Sequence, residues 1–300
     1  PELNAKRNRE RGLRLLELMT TATFYNGLPG VYFRTTFTNT ANDHRLRAHI
    51  RSGIRADTLL ADAPFGMVER GITPPTDRND IAPFSESYSG TMPMQRVAVI
   101  EDKAAGLALL TRGLTEVEGI QEGGQTTLAL TLVRAVGWLS RADVDTRRGA
   151  VDVVKAVSGA QSLRPVTAEY ALVPVPPADH AAMLRAGQTF SAPLIVHQYD
   201  SAPEVGRRSY LSVTTGDPHA IILMTTLKPP QEGDGVVLRL LNPNEAELTA
   251  HFNCQRKPRR AALLTLAEQP LDDLKLKPDG SLELPLPPHK LVTLRLEFED

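Results

Sequence analysis

The chain has 300 residues, with 34 Lys and Arg against 35 Asp and Glu for a formal net charge of −1, and is 41% hydrophobic and 23% charged. These are globular proportions, with enough chain for one large domain or two ordinary ones around a real core, and they exclude disorder. A near-neutral balance lacks the electrostatic footprint of a nucleic-acid binder, and the single cysteine, Cys254, excludes an intramolecular disulfide and any multi-cysteine zinc site. The longest apolar runs, such as Ala261 to Ala267, are far too short to span a bilayer, so no membrane association is expected. No signal-peptide pattern and no Asn-x-Ser/Thr sequon is visible, and a cytoplasmic location is expected. The sequence opens at Pro1 without an initiator Met and is expected to be a piece of something longer.

The first element in chain order is a helix candidate, Arg11 to Met19. Val31, Phe33, Thr35 and Phe37 then alternate with Tyr32, Arg34, Thr36 and Thr38, and Leu46, Ala48 and Ile50 alternate with Arg45, Arg47 and His49. Successive side chains on a strand point to opposite faces, so both stretches read as half-buried strands of antiparallel sheets. Val97 to Ile100 and Gly106 to Leu110, joined through Glu101 to Ala105, predict a hairpin with a longer loop. Gly123-Gly124 precedes a strand over Thr127 to Val133, and Asp179 to Ala186 is a short helix that its Asp could cap. Alternation returns in Leu248, Ala250, Phe252, Cys254 and in Val292, Leu294, Leu296, Phe298. Between them Pro278-Asp279-Gly280 separates Leu274-Lys275-Leu276 from Leu282-Glu283-Leu284 as a tight turn would. The expected fold is all-β. Eight residues of Pro, Gly and charge, Lys228 to Gly235, suggest a boundary, giving a large domain over 1–230 and a small β-sandwich over 231–300.

Catalytic signatures are mostly absent: there is no Gly-x-Ser-x-Gly elbow, phosphate-cradling loop or dinucleotide fingerprint. Of seven histidines only His44 and His49 are neighbours, and five positions apart on one strand they face opposite sides, so no metal site is encoded locally. Asp57 with Asp62, or Asp143 with Asp145, could supply paired carboxylates, but capping turns or pairing with neighbouring Arg residues is the preferred reading. Arg45 and Arg47, in Asp43-His44-Arg45-Leu46-Arg47, are expected to pair across a sheet with Asp57 and Asp62 as an ion-pair ladder that fixes register. The only tryptophan, Trp138, sits between Gly137 and Leu139 and is expected in the core rather than as a sugar platform. Thr146-Arg147-Arg148-Gly149 places two guanidinium groups beside a glycine turn, where each could fork onto adjacent sugar hydroxyls or a carboxylate. The basic clusters near Lys6 and at Lys257-Pro258-Arg259-Arg260 read as solvated surface.

Several of these strings occur in a recognisable order. Asp43-His44-Arg45-Leu46-Arg47 is followed by Ala61-Asp62-Ala63-Pro64-Phe65 with Val68-Glu69-Arg70, then by Gly106 to Leu114, Val136-Gly137-Trp138-Leu139-Ser140-Arg141 and Tyr170-Ala171-Leu172. With Val236 to Asn242 and Leu291-Val292-Thr293-Leu294 near the end, the chain from about Tyr25 onward resembles the C-terminal region of glycoside hydrolase family 38, the α-mannosidases. The resemblance implies a large supersandwich related to galactose mutarotase, then a small β-sandwich. It also implies a retaining, zinc-dependent parent enzyme whose carboxylates and zinc ligands lie on an N-terminal barrel. That barrel's His-x-Asp metal motif is absent here, so this chain alone is predicted to be inactive and to hold no cofactor, with zinc expected in the barrel of the parent enzyme.

The implied partners are that barrel on the same polypeptide and an α-mannoside, and the implied roles are to support the barrel, complete the sugar-pocket rim and mediate homo-oligomer contacts. In the family an Arg before a Gly, after the Leu-Leu-type strand, reaches the pocket rim. This falls on Arg148, or on Arg147 if the loop differs by one residue; two exposed loop arginines are the competing reading. Two other functions stand beside this one, a free-standing carbohydrate-binding β-sandwich and a structural interaction module without sugar contact.

Overall fold

The computed structural model describes residues 14–73, 89–140, 143–144, 147–148, 155–198, 200, 209–217 and 220–299. The chain begins with strands β1 (Leu18–Thr23), β2 (Val31–Thr38), β3 (Arg45–Arg51), β4 (Thr58–Ala63), β5 (Gly66–Gly71), β6 (Thr91–Pro93), β7 (Val97–Glu101) and β8 (Gly106–Arg112). It continues through β9 (Glu116–Glu122), β10 (Gln125–Arg134), β11 (Trp138–Ser140), β12 (Asp143–Val144), β13 (Arg147–Arg148), β14 (Lys155–Ala156) and β15 (Pro165–Val175). A single turn of 3-10 helix, Ser158–Gln161, precedes β15, and helix α1 (His180–Ser191) follows it. The remaining strands are β16 (Leu211–Thr214), β17 (Leu223–Lys228), β18 (Val236–Leu241), β19 (Leu248–Cys254), β20 (Pro258–Leu264), β21 (Pro270–Leu274), β22 (Leu282–Leu286) and β23 (Leu291–Phe298). The fold is therefore all-β, with α1 where the short helix is expected.

Internal contacts divide the described residues into two compact units, the second comprising Pro64–Met67 and the chain from His180 onward. In the first unit a seven-stranded antiparallel sheet, in the order β1-β2-β15-β8-β7-β4-β5, faces a four-stranded sheet, β3-β10-β9-β6. Their shared core takes Phe37, Leu59, Ile100, Leu109 and Tyr170 from one sheet and Met92, Val117, Leu128 and Leu130 from the other. Leu46, Ala48 and Ile50 of β3 pack against it, on the face that their alternation with charged residues dictates. Thr35 lies on the same buried face, and its hydroxyl is satisfied by Thr20 Oγ1 at 2.9 Å and Tyr170 Oη at 3.3 Å, as a polar group in a core requires.

The second unit is a smaller sandwich of a three-stranded sheet, β16-β19-β22, and a five-stranded sheet, β17-β18-β23-β20-β21. Ala250, Phe252, Leu294 and Leu296, the late alternating positions, meet Leu238, Leu282 and Leu286 in its core. The segment at which composition places a boundary, Lys228 to Gly235, links β17 to β18, which pair with Lys228 opposite Val237. The small sandwich thus takes in β16 and β17 ahead of that segment, and the compact unit begins at His180.

One local expectation is corrected and one is borne out. The described part of Arg11–Met19 is not helical: residues 14–17 are irregular, and Leu18 and Met19 open β1, where pairing with β2 outweighs local helix preference. Pro278-Asp279-Gly280 does form a tight turn, with Gly280 N donating to Lys277 O at 2.8 Å. It carries the chain from the five-stranded sheet to the three-stranded one, so β21 and β22 are not hairpin partners.

Candidate functional site

The site with most chemical interest is the excursion between β10 and β15. Its outer ribbon pairs β11 with β14, Trp138 opposite Ala156. Inside that ribbon in sequence, β12 pairs with β13, placing Asp143 opposite Arg148 and Val144 opposite Arg147. Both arginines of the sequence reading thus stand on one short antiparallel pair.

The base of the excursion is fixed by buried and half-buried polar groups from distant parts of the chain. Asp43 adopts a left-handed backbone, φ 49°, a conformation that Asp tolerates better than most residues. Its Oδ1 accepts from Gly137 N at 2.9 Å and Gln161 Nε2 at 3.0 Å, while its own N–H donates to Gln161 Oε1 at 2.9 Å. Buried Asn39 donates through Nδ2 to the carbonyls of Gln161 (2.9 Å) and Ser162 (3.2 Å), holding the 3-10 turn in place. Val157 N donates to Gly137 O at 2.9 Å, and Val136 N to Ala160 O at 3.2 Å, closing the two arms. Glycine is required at 137 by space, since a Cβ there would lie 2.8 Å from Gln161 Nε2 and 3.3 Å from Asp43 Oδ1. Two of the strings that carry the family resemblance, around Asp43 and around Gly137, therefore meet here. Gln161 and Asn39 were not legible as part of this site, because no local spacing links them to residues so far away in sequence.

Other expectations are redistributed. Trp138 is not in the core: it is 44% exposed, because the two-stranded β11–β14 ribbon is too narrow to enclose an indole. The ladder of Arg45 and Arg47 exists, with different partners. Arg45 pairs with Glu116 at 3.7 Å and Arg47 with Glu118, because β9 and β3 flank β10 in one sheet; Thr131 of β10 donates to Glu116 at 2.7 Å between them. Asp57 is exposed, whereas Asp62 is 2% exposed and anchors a turn. Asp62 Oδ1 accepts from the backbone N–H groups of Gln95 (2.8 Å), Arg96 (2.8 Å) and Val97 (3.0 Å), and Oδ2 from Arg96 Nε at 3.1 Å. A carboxylate so fully engaged is a structural anchor, not a free acid or base. Arg259 and Arg260 lie on the surface, Arg260 donating to Asp273 at 2.9 Å.

The ring nitrogens of His44 are both buried, and neither has a hydrogen-bond partner among the described residues. No group of three or more His, Cys, Asp or Glu able to hold a metal ion occurs among the described residues, and no helix among them is long and apolar enough to cross a membrane. The described residues therefore do not fit a zinc site. Burial pushes the Cys254 thiol up from its ordinary value, keeping it protonated at neutral pH.

Comparison with known proteins places this geometry. Residues 9–143 match the model of the glycosyl hydrolases family 38 C-terminal domain, and residues 222–294 that of the family's C-terminal beta sandwich domain. A protein of Halalkalibacterium halodurans, provisionally named a mannosylglycerate hydrolase, is 26% identical over 99% of this chain. The chain spans only 30% of that relative's length. Among solved structures, an alpha-mannosidase from Enterococcus faecalis V583 superposes with a TM-score of 0.71 at 24% identity, over 96% of this chain and 30% of that one. A glycosyl hydrolase family 38 protein from Enterococcus faecalis superposes with a TM-score of 0.67 at 25% identity, over 96% and 31%. With both C-terminal models matched in order and the fold shared, the chain belongs to glycosyl hydrolase family 38, of which it is the C-terminal part.

Proposed function

We propose that this chain is the non-catalytic C-terminal portion of an α-mannosidase, supporting an upstream catalytic barrel and completing the rim of its sugar pocket with Arg147 or Arg148. The observation that carries the reading is the ordered match of two C-terminal domain models on a chain that spans 30% of its relative's length. The excursion supports the rim role. It bears both arginines on one strand pair and springs from a base held by Asp43, Gln161 and Gly137, so a guanidinium fork there would be presented from a fixed platform. Zinc belongs, in this reading, to the barrel, and the cytoplasm and a homo-oligomer are its setting.

The test offers an aryl α-mannoside and a mannosylglycerate to the purified chain with zinc supplied, and then to the polypeptide carrying its upstream region. The chain alone releases no product. In the longer polypeptide, Arg147→Ala or Arg148→Ala raises KM roughly tenfold, the loss of one charged contact to bound sugar. Metal-dependent turnover by the chain alone would refute the non-catalytic assignment, and unchanged kinetics in both variants would remove the rim role. The exposure of Trp138 favours a second reading, a free-standing carbohydrate-binding module. As the only tryptophan it reports directly: saturable quenching of its emission by mannose in the isolated chain would support that module.

A further inference from the structure

The strand edges of this molecule are not alike. An open edge presents unpaired backbone N–H and C=O groups, and folded proteins guard such edges with charge, proline or shortness. Among the described residues, β21 carries Pro270, Asp272 and Asp273, β3 carries Arg45, Arg47 and Arg51, and β5 carries Glu69 and Arg70. β6 is three residues long and ends in Pro93, β16 has only four residues, β22 carries Glu283 and Pro285, and β17 is interrupted by a bulge between Met224 and Thr226 and ends in Lys228. Among the described residues β1 is the exception. It is six residues, Leu-Met-Thr-Thr-Ala-Thr, without charge or proline, and it forms the edge of the seven-stranded sheet.

Both faces of β1 are also open. Residues from Leu18 to Ala22 are all exposed, though Leu18, Thr20 and Ala22 point one way and Met19, Thr21 and Thr23 the other. Its flanks add Leu15 at 91%, Phe24 at 75%, Tyr25 and Leu28. A groove of about 600 Å³ beside it is lined by Leu15, Met19, Phe37, Pro165 and Val166 among others. Scattered exposed apolar residues need no explanation, but six of them gathered along one unguarded edge mark an interaction surface.

We propose that β1 and its flanks are the seat of the upstream region of the same polypeptide, which covers both faces and closes the open edge. This rests on the reading of the chain as a C-terminal part and adds the surface through which it is joined. The matched models describe C-terminal domains and the relative is more than three times as long as the matched region, so the additional chain would enter just ahead of β1. A region tethered there meets this edge at an effective concentration that a second copy in solution does not reach.

Hydrogen exchange at Leu18–Thr23 tests the proposal, in this chain and in the polypeptide carrying its upstream region. The expected result is exchange slowed about tenfold or more by the upstream region. Met19→Lys, and separately Thr21→Lys on the same face, return it to the rate of this chain while β8 and β10 amides stay protected. Equal rates in the two proteins overturn the proposal. So does protection already present in this chain, with a dimer in sedimentation that Met19→Lys disperses, because the occupant is then a second copy. The readout uses no activity, so the rim role of Arg147 and Arg148 can fail while this surface stands, and the reverse.

Discussion

Two loops of this molecule are held in opposite ways. The base of the 138–156 excursion in the first unit is pinned by groups withdrawn from solvent, the buried Gln161 amide with the half-buried Asp43 carboxylate and Gly137 N–H, each satisfying the others. The loop joining β17 to β18 in the second unit is held at the surface. Lys228 and Gln231 N converge on Glu268, the latter at 2.8 Å, and Arg295 donates to the carbonyls of Asp234 (2.8 Å) and Glu232 (3.1 Å). Buried polar groups are costly to unpair, whereas water replaces a surface partner at little cost. The base of the first loop is therefore a precise platform, and the second loop is a tolerant connection.

The largest break is expected at Gln161. Gln161→Ala leaves the Asp43 N–H without its acceptor and removes a donor from its carboxylate, costing about 1–3 kcal/mol in denaturant unfolding. Gly137→Ala crowds the same amide and costs about 1 kcal/mol. Because the contact is with the Gln161 side chain, the double variant is non-additive, with the Gly137→Ala penalty shrinking by about 0.5 kcal/mol or more once Gln161 is shortened. Strict additivity would mean that the base is not the coupled unit described here.

His44 sharpens the comparison from the other side. Its ring nitrogens are buried without partners among the described residues, so His44→Phe removes two unsatisfied polar atoms and retains the ring. Stability is expected to stay level or rise by up to about 1 kcal/mol, in contrast to the loss at Gln161. A large loss would show that His44 has a bonding role at the excursion base.

The smallest effect belongs to the surface loop. The Lys228 ammonium, and then the Gln231 N–H, hold the Glu268 carboxyl below the usual carboxylate range. Its contribution is full above the unfolded value and is lost as pH falls through the lowered folded value. Glu268→Gln should therefore lower Tm slightly at neutral pH, with the gap to the parent closing in acid and shrinking with added salt. A gap that widens in acid would reverse the assignment.

Much of the fold was legible because the strand period writes burial into the sequence. Leu46, Ala48 and Ile50 against Arg45, Arg47 and His49, and Leu294 and Leu296 in β23, face as alternation requires. What failed was whatever depended on partners. Arg45 and Arg47 were legible as a ladder, but Glu116 and Glu118 oppose them only because β9 lies on the far side of β10. Leu18 and Met19 read as the end of a helix until β2 is beside them, and Trp138 reads as core until its ribbon proves to be two strands wide.

The sequence by itself thus determined the all-β class, the alternating core positions and, through the order of its motifs, the family. Those features are carried by residue type and spacing along the chain, where solvent exclusion acts on each strand in the same way. The tertiary structure alone decided that Asp43, Gly137 and Gln161 form one clamp, that Asp62 anchors a turn on three backbone N–H groups, and that β1 stands at an open sheet edge among the described residues. Hydrogen-bond partners and sheet edges are set by strand order in space, which local sequence patterns do not encode.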